Sequence, residues 1–275
     1  MKIEFYKMSG AGNDFVVIDN RTGKIKNKVA LAKKLCERRF GIGADGLMLI
    51  EKAKDADYTM SYFNADGSYG GMCGNGGRCI SYLAYKLGVA GKQQRFIANN
   101  RIYTSKILKD NVELTMLDPW DVSLNERLTI HEKVYPYHFI NTGAPHVVID
   151  VDEMVTKFHQ IENIPVEIFG TQIRFHPNFA PEGTNVNFIK RESASKIFVR
   201  TYERGVEEET YACGTGSVAS ALVASTLWNI ESPITVIPKS GKKLIVKFKK
   251  TSDTEFSNIH LIGPATITFY GSIDV

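Results

Sequence analysis

The sequence predicts an α+β fold in which two sheet-rich halves each enclose one apolar helix. Three observations carry this expectation. Short runs of alternating residues dominate the chain, helical signals are few, and two of the helices open with the same Cys-Gly-x-Gly turn, at Cys73 and at Cys213. Those cysteines stand 140 residues apart, close to half of the 275-residue chain. That length exceeds the usual size of a single core, so two domains are expected, with a one-domain barrel as the alternative.

The strands come from period-two alternation, which sends successive side chains to opposite faces of a sheet. Residues 1–7, 58–63, 196–202 and 265–270 all alternate in this way, and the expected pairing is antiparallel. Residues 239–250 read as a hairpin with a Ser240-Gly241 turn and one solvated lysine face.

Four helices are expected. Asn27 caps one that runs to about Arg38, with Val29, Ala32, Leu35 and Cys36 on one face. Asp152 caps a second that runs to about Ile161. The other two follow the cysteines. After Cys73, the residues Cys79, Ile80, Leu83, Ala84 and Leu87 face inward and Gly88 supplies the stop. After Cys213, residues 218–228 offer almost no charged face. A helix apolar around much of its circumference must be covered on several sides, so a curved antiparallel sheet is expected around each of these two. Asn64 and Arg204 precede the cysteines at the same distance of nine residues, a hint of an internal duplication.

Composition excludes several classes. The net charge is +4, but the lysines and arginines are dispersed, so no nucleic-acid partner is expected. No run of 18 apolar residues occurs, so no membrane partner is expected, and the cytoplasm is the expected compartment. Four cysteines, Cys36, Cys73, Cys79 and Cys213, are too few to staple a secreted chain and lack paired zinc-type spacing. Reduced thiols and no metal follow. Cys36 and Cys79 read as core, the latter because six helical residues place it about 240° around from Cys73.

The two thiol turns suit proton transfer at carbon. A cysteine at the first turn of a helix faces unpaired N–H groups and the positive end of the macrodipole, both of which favour thiolate. Glycines beside it let the backbone approach a ligand closely, and their N–H groups can cradle a carboxylate. Two such helix ends addressing one carboxylate stabilise the charge that enters it as the α-proton leaves, with one sulfur acting as thiolate and the other as thiol. On local pattern alone, Gly143-Ala-Pro-His146 reads as a turn before a strand, and the segment after Glu203-Arg204 as a solvated charge run.

Together the motifs resemble the diaminopimelate epimerase family. The segments that carry the resemblance are Gly10-Ala-Gly-Asn-Asp-Phe15, Gly41-Ile-Gly-Ala-Asp45, Phe63-Asn-Ala-Asp-Gly-Ser68, Cys73-Gly-Asn-Gly-Gly-Arg-Cys79, Gly143-Ala-Pro-His146, Thr184-Asn-Val-Asn-Phe188, Glu203-Arg-Gly-Val206 and Ala212-Cys-Gly-Thr-Gly216. They stand in the family's order over nearly the whole chain. The resemblance implies interconversion of LL- and meso-2,6-diaminopimelate, a step toward lysine and peptidoglycan precursors, with no cofactor. It implies that Cys73 and Cys213 are the catalytic pair, with His146 tuning Cys73 and Glu203 partnering Cys213. Gly74, Asn75, Gly214 and Thr215 are implied to bind the reacting carboxylate through backbone N–H groups. Asn13, Asn64, Asn185 and Arg204 are implied to line the remaining substrate site, and Glu203 to contact a substrate amine.

The implied fold is two pseudo-symmetric domains, each a β-barrel-like sheet around a central helix, with the active site between them. The first takes residues 1–117 with the last strand, 263–275, returning to it; the second takes 118–262. The small-molecule substrate is the expected partner, and a homodimer is compatible with the family. Ser9, Gly46 and Ala144 depart from the common pattern, where histidine, glutamine and asparagine are frequent. The nearest alternative is a two-thiol racemase for a one-headed amino acid such as proline. Arg204 with Asn64 and Asn185 favours a second carboxylate and amine instead, since a guanidinium matches a carboxylate bidentately. An anion-binding protein without activity is the alternative of another class.

Overall fold

The computed structural model describes residues 2–154 and 160–275. Two compact units divide the chain: Met1–Thr115 with Ile262–Val275, and Met116–Leu261.

The first unit contains β1 (Lys2–Gly10), β2 (Asn13–Asp19), α1 (Lys28–Cys36), β3 (Gly46–Glu51), β4 (Tyr58–Asn64), α2 (Gly74–Lys86), β5 (Gln93–Ala98), β6 (Arg101–Ile107) and β7 (Val112–Thr115). The second contains β8 (Trp120–Ile130), β9 (Lys133–Asn141), β10 (Pro145–Asp150), α3 (Val166–Arg174), β11 (Asn185–Ser193), β12 (Lys196–Glu203), β13 (Glu208–Thr210), α4 (Gly214–Trp228), β14 (Ile234–Pro238), β15 (Leu244–Lys250) and β16 (Phe256–Gly263), the last of which reaches the boundary. The final strand, β17 (Thr266–Asp274), belongs to the first unit and pairs antiparallel with β1.

The same path is traced twice. In the first unit β1 is antiparallel to β2, β2 runs parallel to β3 across α1, β3 is antiparallel to β4, and β4 runs parallel to β5 across α2. In the second, β9 is antiparallel to β10, β10 runs parallel to β11 across α3, β11 is antiparallel to β12, and β12 runs parallel to β14 across α4. The sheets are therefore mixed, whereas alternation alone predicts antiparallel pairing only. The reason is visible in β2: Phe15, Val16, Val17 and Ile18 are all buried, because a strand covered by helices on both faces needs apolar residues at every position.

Each sheet lies between an outer and an inner helix. On the outer side, Val16, Ile18, Leu47 and Leu49 form one core with Leu31, Ala32, Leu35 and Cys36 of α1. The second unit repeats this with Val147, Ile149, Val186 and Phe188 against Val166 and Ile173 of α3. There α3 approaches so closely that a side chain at Gly170 would lie 2.4 Å from the Tyr202 ring. On the inner side, α2 contacts β1, β2, β3, β6, β7 and β17, while α4 contacts β9, β10, β11, β12, β14 and β15. Enclosure explains why α4 carries no charge from Gly214 to Trp228.

Several local expectations hold and several change. Asn27 caps α1 through a bond from the Ala30 N–H, worth about 1 kcal/mol. The helix ends at Cys36 rather than near Arg38, and Val29 is exposed, its place on the buried face taken by Leu31. Gly88 stops α2 at a φ of 66°. The hairpin of β14 and β15 forms, with Gly241 N–H bonded to Pro238 O at 2.8 Å. Where a helix from Asp152 is expected, a single 3-10 turn spans Val151–Glu153, capped by Asp150, and the continuation at residues 155–159 lies outside the described residues. The second unit's outer helix is α3, later in the chain.

Candidate active site

Cys73 and Cys213 occupy the same structural position in the two units. Each is the N-cap of the inner helix, with extended backbone angles of −116°, 124° and −105°, 121° respectively. Each sulfur accepts the N–H of the glycine three residues on: Gly76 at 3.4 Å and Gly216 at 3.3 Å. Cys213 also lies 3.5 Å from the Thr215 hydroxyl. Glycine is required here by space. A side chain at Gly76 would meet Met48 Sδ at 2.9 Å, and one at Gly216 would meet Asn187 Oδ1 at 2.4 Å.

In the first unit, Asn13 and Asn75 are brought together, Asn75 Nδ2 donating to Asn13 Oδ1. Asn13 in turn donates to Asp45 at 3.2 Å, and Asp45 belongs to a cluster with Arg38, Asp14 and Lys7. Burial and the Asp14 charge raise the pKa of Asp45; against the upward push of burial, bonds to Arg38 and Lys7 hold that of Asp14 down. Gly10 allows β1 to reach this turn, since a side chain there would lie 2.7 Å from Asn75 O. Asn64 stands apart, donating to Ser68 at 2.9 Å within its own turn.

Arg78 is the residue of this unit that sequence reasoning missed. It is fully buried, donating to Asn75 Oδ1 at 2.8 Å, Gly74 O at 3.3 Å and Pro264 O at 3.4 Å, and no carboxylate pairs with it among the described residues. Burial pulls its pKa down to about 10, so it remains a cation at neutral pH. The available signal was one arginine on a helix otherwise apolar in that turn.

In the second unit, His146, Asn185 and Arg204 are brought together. His146 and Asn185 are in register across the parallel pair β10 and β11. Asn185 donates to Pro145 O at 2.8 Å and accepts the Arg204 backbone N–H at 2.9 Å. The Arg204 guanidinium is loosely held, 3.4 Å from Glu182 O and 4.0 Å from the largely exposed Glu182 carboxylate. Burial, reinforced by the Arg204 charge, lowers the pKa of His146 to about 3. Glu203 accepts from the Thr210 hydroxyl at 2.9 Å, three residues before Cys213. Thr142, which sequence reasoning also missed, donates to Thr215 O at 3.0 Å and ties the second thiol turn to the end of β9. Gly214 starts α4 and is buried.

Cys36 and Cys79 are core thiols, both pushed up by burial to about 12. Gly46 has no room for a longer residue, since a side chain there would meet the Tyr62 ring at 2.4 Å. No group of residues suited to a metal ion occurs, and no helix is long and apolar enough to cross a membrane, among the described residues.

Comparison with known proteins identifies the family. The family model described as diaminopimelate epimerase matches residues 5–116 and 138–267. The diaminopimelate epimerase of Chlorobaculum tepidum is 41% identical over 97% of this chain and 99% of its own. That of Flavobacterium psychrophilum is 39% identical over 98% and 100%, and that of Aquifex aeolicus 36% identical over 98% of each. Among solved structures, a probable proline racemase from Agrobacterium radiobacter K84 superposes with a TM-score of 0.75 at 14% identity, covering 99% of this chain and 93% of that one. A phenazine biosynthesis protein of the PhzF family from Bacillus anthracis superposes with a TM-score of 0.73 at 14% identity over the full length of both. The two structures share the fold of paired pseudo-symmetric domains, and the sequence matches over nearly the whole chain place it within one family: the chain belongs to the diaminopimelate epimerases.

Proposed function

We propose that the protein is an isomerase that epimerises diaminopimelate at an α-carbon, using Cys73 and Cys213 as its two proton carriers. The observation that carries this reading is the matched pair of N-cap cysteines, each with its sulfur on the N–H three residues later. One thiolate removes the α-proton as the C–H bond breaks, and the electron pair enters the substrate carboxylate. The other thiol then delivers its proton to the opposite face of the carbon. Substrate configuration inverts, and the two sulfurs exchange protonation states.

The N–H groups at Gly74, Asn75, Gly214 and Thr215 hold the carboxylate whose charge grows in the transition state. A helix dipole contributes only about 0.3–2 kcal/mol at each end, so direct N–H hydrogen bonds supply much of the stabilisation. Asn13, Asn64, Asn185, Glu203 and Arg204 recognise the rest of the substrate, Arg204 through a guanidinium 4.0 Å from its nearest carboxylate among the described residues. Two working thiols must stay reduced, which suits the cytoplasm.

Proton NMR of LL-diaminopimelate in heavy water tests the reading. Exchange of the α-proton with formation of the meso isomer is expected, and its complete absence overturns the assignment. The substrate's second head is tested by Arg204→Met, expected to lower kcat/KM by an amount equivalent to about 2–5 kcal/mol of transition-state stabilisation, the loss typical of a desolvated charge partner. Titration calorimetry with a substrate analogue checks it: unchanged affinity together with unchanged turnover places Arg204 outside the site.

A further inference from the structure

Asn187 has no part in the reading above, yet it is fully buried and its side-chain amide makes three polar contacts inside the second unit. It sits in β11, in register with Val148 of β10 and Thr201 of β12. Its Nδ2 donates to Val147 O at 2.9 Å and lies 3.1 Å from His146 Nδ1, while its Oδ1 accepts the Thr201 hydroxyl at 3.0 Å. The amide orientation is determined by these neighbours. A backbone carbonyl only accepts, so the nitrogen must face Val147 O, and the oxygen then faces Thr201. One N–H is used by Val147, and the other points at His146 Nδ1. That ring nitrogen must therefore be an unprotonated acceptor, and the neutral ring carries its hydrogen on Nε2.

Both side chains are fully buried. His146 Nε2 has no hydrogen-bond partner among the described residues. A buried donor left unpaired is uncommon in native folds and calls for an explanation.

We propose that Asn187 is a positioning residue that locks His146 in its Nε2–H tautomer, so that His146 serves the reaction as a neutral hydrogen-bond donor to an anionic acceptor rather than as a base. The proposal rests on the epimerase reading for the identity of the reaction, but the tautomer follows from the side-chain geometry alone. The low pKa that burial gives His146 is consistent with it, because a ring uncharged down to about 3 offers its N–H throughout the neutral range.

The test is two-bond proton–nitrogen correlation NMR of the full-length protein labelled with 15N-histidine, near neutral pH. His146→Gln assigns the resonance; if that variant does not fold, single substitutions of the other five histidines, His131, His138, His159, His176 and His260, assign their signals and leave His146 by elimination. The expected wild-type pattern is a protonated Nε2 and an unprotonated Nδ1. In Asn187→Asp the carboxylate can only accept, so Nδ1 is expected to gain a proton. Epimerisation kcat is then expected to fall by about 100- to 10,000-fold, the scale seen for a mis-set catalytic histidine, with KM little changed. A wild-type His146 protonated at Nδ1 overturns the proposal, as does an Asn187→Asp protein with an unaltered tautomer. If the wild-type protein shows the Nε2–H ring but does not exchange the substrate α-proton, the reading of function fails while the tautomer assignment stands.

Discussion

The two thiol turns share a backbone and differ in what surrounds it. Cys73 is half-buried, and five residues after it comes Arg78, a buried cation bonded to the turn itself through Gly74 O and Asn75 Oδ1. Cys213 is only 7% exposed, and its helix carries no charge; the Thr215 hydroxyl lies 3.5 Å from its sulfur. The difference teaches that a helix N-terminus is a common device whose electrostatics are set by its neighbours. A formal positive charge on the helix itself favours the thiolate at the first turn, whereas α4 contributes no charged side chain at the second.

The comparison breaks first at the sulfurs. Cys73→Ala and Cys213→Ala are each expected to lower epimerisation by at least about 1,000-fold, within the range for loss of a positioned acid or base, while circular dichroism stays unchanged. Near-normal turnover in either variant would show that the two turns are unequal in chemistry, not only in surroundings.

The next effect separates the units by acid sensitivity. His138 and His146 are buried in the second unit, and burial lowers their pKa values to about 4 and 3. Both lie below the unfolded value of about 6.5. The stability they contribute is therefore complete above that pH and lost as pH falls from 6.5 toward 4, at up to about 1.4 kcal/mol per pH unit for each ring. The lowered carboxylates Asp14, Asp19, Glu51, Asp66 and Glu209 start to cost stability only near and below their ordinary range, whereas the raised Asp45 and Asp150 oppose the loss as pH falls. Both tryptophans, Trp120 and Trp228, lie in the second unit, so their fluorescence reports its unfolding. The urea midpoint is expected to fall between pH 6.5 and 5, and less steeply in His138→Gln; a flat midpoint there contradicts the buried neutral rings.

A smaller effect comes from the glycines beneath the sulfurs. Gly216→Ala would press on the hydrogen-bonded Asn187 amide, and Gly76→Ala on the flexible Met48 thioether. Overpacking costs about 1–3 kcal/mol where neighbours cannot give, so Gly216→Ala is expected to be the more destabilising of the two. Equal melting temperatures for the two variants would show that the Asn187 network yields as easily as a methionine.

The smallest expected effect sharpens the charge difference itself. Arg78→Met removes the cation at the first turn, and the midpoint of Cys73 alkylation against pH is expected to rise. Cys213 in the same protein is the internal control. A parallel shift at both cysteines would trace the change to general loosening instead of charge.

The legible parts of this site were local. Asn27 as a cap, Gly88 as a stop, the Ser240-Gly241 turn and the two Cys-Gly-x-Gly starts each depend on backbone requirements a few residues long. The parallel pairs were not legible, because alternation reports which face of a strand is buried and not the direction of its neighbour. The expected helix after Asp152 failed for a related reason: a capping residue signals a start that tertiary packing need not extend, and the outer helix formed at Val166–Arg174 instead.

By itself, then, the sequence determined the α+β class, the inner helices, the thiols at their starts and, through ordered motifs, the family. Tertiary structure alone decided what those thiols are surrounded by. His146 and Asn187 are 41 residues apart and meet only because β10 and β11 lie side by side, while Arg78 reaches Pro264 across 186 residues. Protonation states and buried charge depend on such distant partners, since hydrogen bonds and desolvation act through space; the starts of helices depend on the next three residues, and those are written in order along the chain.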